Sequence, residues 1–427
     1  MLNMLIKNAR FVVTPKGIEK NKSIVIEDSI IDSITSSTAD LDKTGDVIDG
    51  SGSIIMPGLI NAHTHAAMTL FRGYGDDTPL HEWLEKKIFP VEEKLKPKDI
   101  YWGSLLAIIE MIKSGTTCFN DMYYFMSEVA KAVEKTGIRA VLSRGLMDTD
   151  GRGGERLKEA VSEMKEWSGK PRIEWMFGPH AIYTCSEDFL LRIKDLAEKY
   201  DRRIHIHLSE TKKEVKDCLR EHEKRPAEYL DDIGFLSDRV VAAHCCWLNN
   251  NEIKILSRNG VSVVYNPISN MKLASGIAPV FEMMKKKVQV CLGTDGAASN
   301  NNLDMFEEMK VASLLQKISI KDTTALKATD TIMLATLNGA KALGVNSGSI
   351  EEGKNADIIL LDLKNPVLRP LHNKERIISD LVYSTPSLAV NTVIIDGKLI
   401  MQNKKILTID EKEIYEKVEE CARELFG

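Results

Sequence analysis

Two histidines one residue apart close the apolar run Pro57-Gly58-Leu59-Ile60-Asn61-Ala62-His63-Thr64-His65. In an extended strand, residues i and i+2 point the same way, so both imidazoles can reach a single ion. A metal site needs further ligands from elsewhere in the chain, and suitable residues are present. His207 and Glu210 close Ile204-His205-Ile206-His207-Leu208-Ser209-Glu210, His244 follows Val240-Val241-Ala242-Ala243, and Asp295 follows Val290-Cys291-Leu292-Gly293-Thr294. Each follows a short, mostly apolar, strand-like run, so separate strands deliver polar residues at their ends.

Three neutral imidazoles and one carboxylate suit a catalytic Zn²⁺ or Fe²⁺ with a position left open for water. His63, His65, His207 and Asp295 are read as the ligands of one divalent ion per subunit, with zinc preferred and iron the alternative. The run Ile173-Glu174-Trp175-Met176-Phe177-Gly178 has no lysine that could be carbamylated to bridge two ions, which favours a mononuclear site. A divalent ion lowers the pKa of bound water toward neutrality. Asp295 is placed to take the water proton, and Glu210 to carry protons to a substrate as general acid and base. His244 lacks a partner at i+2 and is assigned a hydrogen bond to the attacking water and developing alkoxide. The competing reading of Glu210 is charge compensation for a helix beginning near Lys212. His205 is read as structural, on the opposite side of its strand from His207. His81, His222 and His372 are placed outside the site.

These residues need a scaffold that brings strand ends together. Apolar runs at Leu59 to Ala62, Thr116 to Asn120, Ala140 to Ser143 and Ile173 to Gly178 alternate with amphipathic helical segments. The pattern continues at Ile204 to Leu208, Val240 to Ala243, Val261 to Tyr265 and Val290 to Gly293, which makes eight strands. That count fits an α/β fold, a (β/α)8 TIM-type barrel, whose catalytic groups gather at the C-terminal strand ends. His63, His65, His180, His207, Glu210, His244 and Asp295 all fall at such ends. The segment Tyr101 to Ile112 is apolar on a broad helical face and is punctuated by Gly115. Short strands with turn signals fill residues 1–56 and return at Ala356 to Asp362 and Val390 to Lys398. Neither end has enough apolar residues for a core alone. The expected organisation is a catalytic barrel at 57–347 and one small discontinuous β-sandwich domain, built from 1–56 and 348–427 with a terminal helix.

Composition agrees with an enzyme of that size. The chain has 427 residues, 43% hydrophobic and 28% charged, enough for a large core. A formal net charge of -5 gives no basic footprint for nucleic acid or an anionic membrane, so any nucleotide-like ligand is small. Seven scattered cysteines without a Cys-x-x-Cys pair argue against a disulfide framework and for reduced cytosolic thiols. No run is long enough to span a bilayer and no secretory leader is evident, so a cytoplasmic location is expected.

Taken together, Met56-Pro57-Gly58 through His65, Ser114-Gly115-Thr116-Thr117, Gly178-Pro179-His180, His205 through Glu210, Ala243-His244, Asn266-Pro267, Gly293-Thr294-Asp295-Gly296 and Gly353-Lys354-Asn355-Ala356-Asp357 resemble the amidohydrolase superfamily, in its mononuclear deaminase and chlorohydrolase branch. Thr69 to Tyr74, His81 to Leu84 and Pro90 to Leu95 look most like the 5-methylthioadenosine/S-adenosylhomocysteine deaminases, relatives of the 5'-deoxyadenosine deaminases. The resemblance implies hydrolytic deamination at C6 of adenine in a small nucleoside, with a homo-oligomer as the family-level expectation. It also implies that Glu92 holds the ribose hydroxyls and His180 contacts the purine; a carboxylate can accept from both hydroxyls of a cis-diol. Trp83 and Phe71 are candidate walls for the adenine or the 5' group. Arg144 matches an arginine used near the 5' tail, and Arg152 or Arg156 are candidates for a second. The rival readings are a deaminase or chlorohydrolase of another heterocycle, such as guanine or a triazine, and a silent metal-binding scaffold. The His-x-Glu and Pro-Cys-x-x-Cys pattern of the cysteine-ligated nucleic-acid deaminases is missing.

Overall fold

The computed structural model of the protein describes residues 2–36, 45–78, 80–371 and 374–427; His372 lies outside them. The chain opens with β1 (Leu2–Thr14), β2 (Gly17–Glu27), β3 (Ile30–Thr35), β4 (Asp46–Asp49) and β5 (Ser53–Pro57). Eight barrel strands follow: β6 (Leu59–Thr64), β7 (Thr116–Tyr123), β8 (Arg139–Leu146), β9 (Ile173–Pro179), β10 (Arg203–Leu208), β11 (Val240–His244), β12 (Ser262–Tyr265) and β13 (Gln289–Leu292). The terminal sheet is completed by β14 (Ile358–Asp362), β15 (Val390–Ile395), β16 (Lys398–Gln402) and β17 (Lys405–Ile406).

The barrel strands pair in parallel in simple chain order from β6 to β13, with a helix-bearing crossover between neighbours. They are buried on both faces, which is why each reads as an apolar run without a polar alternation. The seam between first and last strands is drawn together by side chains and backbone. Asn61 Oδ1 accepts from the Thr294 amide at 3.0 Å, Asn61 Nδ2 donates to Thr294 Oγ1 at 2.7 Å, and the Asp295 amide donates to the His63 carbonyl at 3.0 Å. Gly293 makes that approach feasible, since a Cβ there would lie 2.7 Å from His63 N and 2.9 Å from His63 O.

The two ends of the chain meet in one nine-stranded, mainly antiparallel sheet, in the order β17-β16-β15-β14-β5-β1-β2-β3 with β4 beside β1. β5 and β14 pair antiparallel from Ser53 with Asp362 to Pro57 with Ile358, so N- and C-terminal segments share one hydrogen-bonded surface. The apolar stretches Met4 to Ile6 and Arg10 to Val13 form one strand, β1, with a register break between Ile6 and Ala9 at left-handed Asn8 (φ 56°). Alternation then divides the labour. Ile6, Val12, Ile55 and Ile358 join the sheet's own core, while Phe11, Val13, Ile54 and Met56 pack into the barrel's cluster.

Buried charge latches the sheet onto the barrel. Arg139, which begins β8, bonds through Nε to Asp357 Oδ2 at 2.8 Å and through Nη2 to Asp396 Oδ1 at 3.1 Å. The last helix, Glu411–Phe426, packs against the first crossover helix, Pro97–Lys113; Lys98 and Lys113 each meet one of its glutamates at 2.6 Å, Glu424 and Glu411 respectively. This helix follows the sheet in sequence but lies against the barrel in space. Among the described residues no helix is long and apolar enough to cross a membrane.

Candidate metal centre and substrate pocket

At the C-terminal ends of the barrel strands the four expected ligand residues converge. Asp295 Oδ1 stands 3.3 Å from both His63 Nε2 and His65 Nε2, and His65 Nε2 stands 3.4 Å from His207 Nε2. Atoms held 2.0–2.1 Å from one tetrahedral ion are themselves about 3.3–3.4 Å apart, so the spacing fits a single zinc-like ion. His63 Nε2 is buried, and the Asp295 carboxylate 3.3 Å away is the polar group it faces.

The other ring nitrogens decide which atom each imidazole offers. His65 Nδ1 meets the Met122 carbonyl at 2.6 Å and His207 Nδ1 meets the His180 carbonyl at 2.7 Å. A carbonyl only accepts, so the proton sits on Nδ1 and the Nε2 lone pair faces the centre. At His244 the order is reversed. Asn270 Nδ2 donates to His244 Nδ1 at 2.9 Å, which puts the proton on Nε2, 3.9 Å from Glu210 Oε2. The imidazoles of His63, His207 and His244 also lie close enough to share an ion, but His244 arrives as a donor.

Asp295 Oδ2 accepts from Ser269 Oγ and Ser299 Oγ, both at 2.7 Å, leaving Oδ1 toward the histidines. Burial pushes the Asp295 carboxyl up, but hydrogen bonds and charge from His63 and His65 outweigh it and hold the group well below the usual carboxylate range. Burial brings His63 down to about 4 and holds His207 well below the ordinary imidazole range, so both are neutral. At His65 burial also opposes charge, yet Asp295 prevails and raises it to about 9, so a proton on Nε2 competes with an ion for the place beside that carboxylate. A buried carboxylate among imidazoles thus calls for a positive charge at its centre.

Local backbone aims these groups. His244 (φ 70°), Asp295 (φ 67°) and Ser209 (φ 50°) all adopt left-handed conformations at or just past the ends of their strands, a strain of roughly 1–3 kcal/mol each that surrounding contacts must offset. Around Ser209 the contact is Glu214, whose carboxylate accepts the Ser209 and Glu210 amides at 2.7 Å each. Thr211 caps the following helix, Lys212–His222, by accepting from the Glu214 amide. Glu210 is therefore not consumed by helix capping. Its Oε1 accepts from Ser275 Oγ at 3.1 Å and its other oxygen faces His244.

A pocket of about 790 Å³ opens above this centre, lined by His65, His207, Glu210, His244 and Asp295 at its floor. Trp83, Glu92 and His180 line it as well. Glu92 Oε1 accepts from Tyr123 Oη at 2.6 Å. Burial raises the Glu92 carboxyl, with the Tyr123 hydrogen bond opposing. His180 is held at Nδ1 by Thr184 Oγ1 at 3.0 Å, and burial lowers it to about 4. Phe71 is placed elsewhere: it is fully buried, edge-on to Phe426, and Phe89, Tyr124 and Tyr183 supply aromatic lining in its stead. Arg144 lies in an adjoining groove that shares Phe89, Glu92, Tyr124 and Met147 with the pocket. All three arginines there are already engaged, Arg144 with Glu159 and Glu163, and Arg152 and Arg156 with Asp150. His222 stacks on Tyr229 away from the site.

His205 departs from expectation. Residues 205 and 207 share a face by the same i, i+2 rule that pairs His63 with His65. The structure accordingly buries His205 inside the barrel, its Nε2 2.8 Å from His63 Nδ1. Ser269, Asn270 and Ser299, on the short helices Pro267–Lys272 and Ala297–Asn300, and Ser275 in a loop fix the site's polar atoms and carry no sequence signal, since isolated serines and asparagines have no diagnostic spacing.

A parallel barrel with imidazoles and carboxylates gathered at its strand ends defines a metal-dependent hydrolase. The chain belongs to the amidohydrolase family, whose model matches residues 54–400. It is similar to a 5'-deoxyadenosine deaminase of Methanosarcina acetivorans, 50% identical over 432 residues, covering 100% of this chain and 99% of the relative. A 5-methylthioadenosine/S-adenosylhomocysteine deaminase of Syntrophomonas wolfei is 47% identical over 409 residues, 95% of this chain and 94% of its own length. Among solved structures, a zinc-bound adenosine deaminase from Xanthomonas campestris superposes with a TM-score of 0.95 at 35% identity, covering 99% of this chain and 98% of its own.

Proposed function

We propose that this protein hydrolytically deaminates the adenine 6-amino group of 5'-modified adenosines, releasing ammonia and the inosine derivative. The observation that carries the reading is the half-buried carboxylate of Glu92, lining the same pocket as Glu210, His207 and Asp295. It offers acceptors for a ribose cis-diol at one end while the acid-base groups face the base at the other.

His63, His65, His207 and Asp295 would hold the ion, with zinc the preferred metal from the nitrogen-rich donor set and the bound zinc of the Xanthomonas relative. When bound, such an ion lowers the pKa of water toward neutrality and so supplies a nucleophile at physiological pH. Asp295, kept ionised, accepts the proton of the attacking water. Glu210 delivers a proton to the ring nitrogen next to C6, and proton transfer to the amine lets ammonia leave. His244, presenting Nε2–H, steadies the attacking oxygen. His180 meets the purine, and Trp83 walls the pocket.

The engaged state of Arg144, Arg152 and Arg156 supports uncharged, short 5' groups over an amino-acid tail. S-adenosylhomocysteine must compete with Glu159, Glu163 or Asp150 for a guanidinium, whereas 5'-deoxyadenosine and 5'-methylthioadenosine need not. The test is Glu92→Gln assayed on adenosine derivatives and on free adenine. A selective loss on ribosides supports the reading; equal loss on both, or a higher rate on guanine or a triazine, overturns it.

A further inference from the structure

Three imidazoles present Nε2 to the candidate metal centre, and two have Nδ1 fixed by backbone carbonyls. His63 is the exception: its Nδ1 meets another imidazole, His205 Nε2, at 2.8 Å. Either nitrogen of that pair can be the donor. If His205 donates, His63 must carry its proton on Nε2 and cannot ligate. If His63 donates, its Nε2 lone pair faces the centre.

We infer that His205 is the positioning residue that selects the ligating tautomer of His63, by accepting the His63 Nδ1 proton at its own Nε2. The inference rests on the proposed ligand role of His63. His205 then carries its proton on Nδ1, which needs an acceptor in a fully buried place. Two are at hand. Ser143 Oγ lies 3.4 Å from His205 Nδ1 and already donates its own proton to the Asp121 carbonyl, which leaves its lone pairs free. The Asn120 carboxamide lies 3.1 Å away; its nitrogen also donates to the Ala62 carbonyl at 2.9 Å, and its oxygen is buried without a hydrogen bond. Turning the carboxamide to accept from His205 gives that oxygen a donor at the cost of the Ala62 bond, whereas Ser143 accepts with no such loss.

The placement follows from the barrel. His205 precedes His207 by two residues on β10 and points the same way, one layer deeper, where it crosses to β6; Asn120 on β7 and Ser143 on β8 close the layer. Met122 and His180 offer backbone carbonyls to His65 and His207, whereas His63 Nδ1 on β6 meets an imidazole. A side chain from β10 does that work instead.

The test compares His205→Gln, His205→Asn and His205→Leu by competition of the zinc-loaded protein against a chromophoric chelator, with zinc stoichiometry of the unaltered protein measured first. A glutamine amide oxygen reaches the position of an imidazole Nε2; an asparagine is too short. The expected result is zinc affinity lowered about 10–100-fold in the Leu and Asn variants and kept within about threefold in the Gln variant. Unchanged affinity in all three overturns the inference, and so does an equal loss in all three, which marks packing and not hydrogen bonding. If the Leu variant does not fold, the contrast between Gln and Asn decides alone. Failure of the unaltered protein to bind stoichiometric zinc strikes the ligand assignment itself and is read before any variant.

Discussion

Asp295 meets His63 twice: its amide donates to the His63 carbonyl at 3.0 Å, and its carboxylate oxygen stands 3.3 Å from His63 Nε2. One pair of residues therefore closes the barrel seam and assembles the candidate metal centre. Gly293, two residues earlier, permits the approach, because any Cβ would collide with His63 backbone at 2.7 Å. Gly293→Ala is expected to lower both thermal stability and bound metal. Strain of this kind typically costs about 1–3 kcal/mol, read as a fall in Tm together with sub-stoichiometric zinc. A stable variant with full zinc content would show that the seam and the site are independent.

Glu210 faces His244 and accepts from Ser275, but it is not among the groups closest to the candidate ion. Glu210→Gln should thus keep stoichiometric zinc while kcat falls about 10²–10⁴-fold, the usual size of a lost proton-transfer group. Metal analysis beside steady-state kinetics checks both halves. Loss of zinc in this variant contradicts its assignment as a proton carrier.

The Glu92 carboxyl is raised by burial, which makes binding of ribosides pH-dependent. Its ionised form accepts from two hydroxyls, while the protonated form gives up an acceptor position. As pH falls through the raised pKa, KM for adenosine derivatives is expected to climb, with a midpoint above the ordinary glutamate value of about 4.3. KM for free adenine should show no such step. Parallel pH profiles for the two substrates would remove Glu92 from the ribose.

Arg139 bridges Asp357 and Asp396 where the terminal sheet meets the barrel, and Asp357 is buried. Arg139→Met leaves a buried carboxylate without its cation, a loss of roughly 3–5 kcal/mol. The expected readout is a lowered Tm with unchanged zinc content and KM, because the latch lies at the end of the barrel remote from the pocket. A Tm equal to that of the unaltered protein would mean that the ion pair contributes little.

Much of this architecture was legible because parallel barrel strands are buried on both faces. Runs such as Val240 to Ala243 and Ile204 to Leu208 therefore stand out, and their ends shift by no more than a few residues. The histidine spacings were legible for the same reason, since a strand turns i and i+2 into neighbours. His205 obeys the same rule on β10, which sets it on the inner face of the barrel with His207. The serines on Asp295, the asparagine on His244 and the Glu214 clamp under Glu210 could not be read. Each acts through a loop conformation, including the left-handed turns at His244 and Asp295, that no local pattern announces. The pairing of Arg144 with Glu159 and Glu163 belongs to the same class, fixed only when the helix after β8 folds back over the groove.

The most direct measurement is ammonia release by the zinc-loaded protein with 5'-deoxyadenosine, 5'-methylthioadenosine, S-adenosylhomocysteine, adenosine, adenine and guanine, ranked by kcat/KM. The account predicts that 5'-deoxyadenosine and 5'-methylthioadenosine lead, that S-adenosylhomocysteine trails them by about tenfold, one favourable charge contact's worth, and that the free bases are poorest. Activity greatest on adenine or guanine would contradict the ribose role of Glu92 and the nucleoside reading built on it.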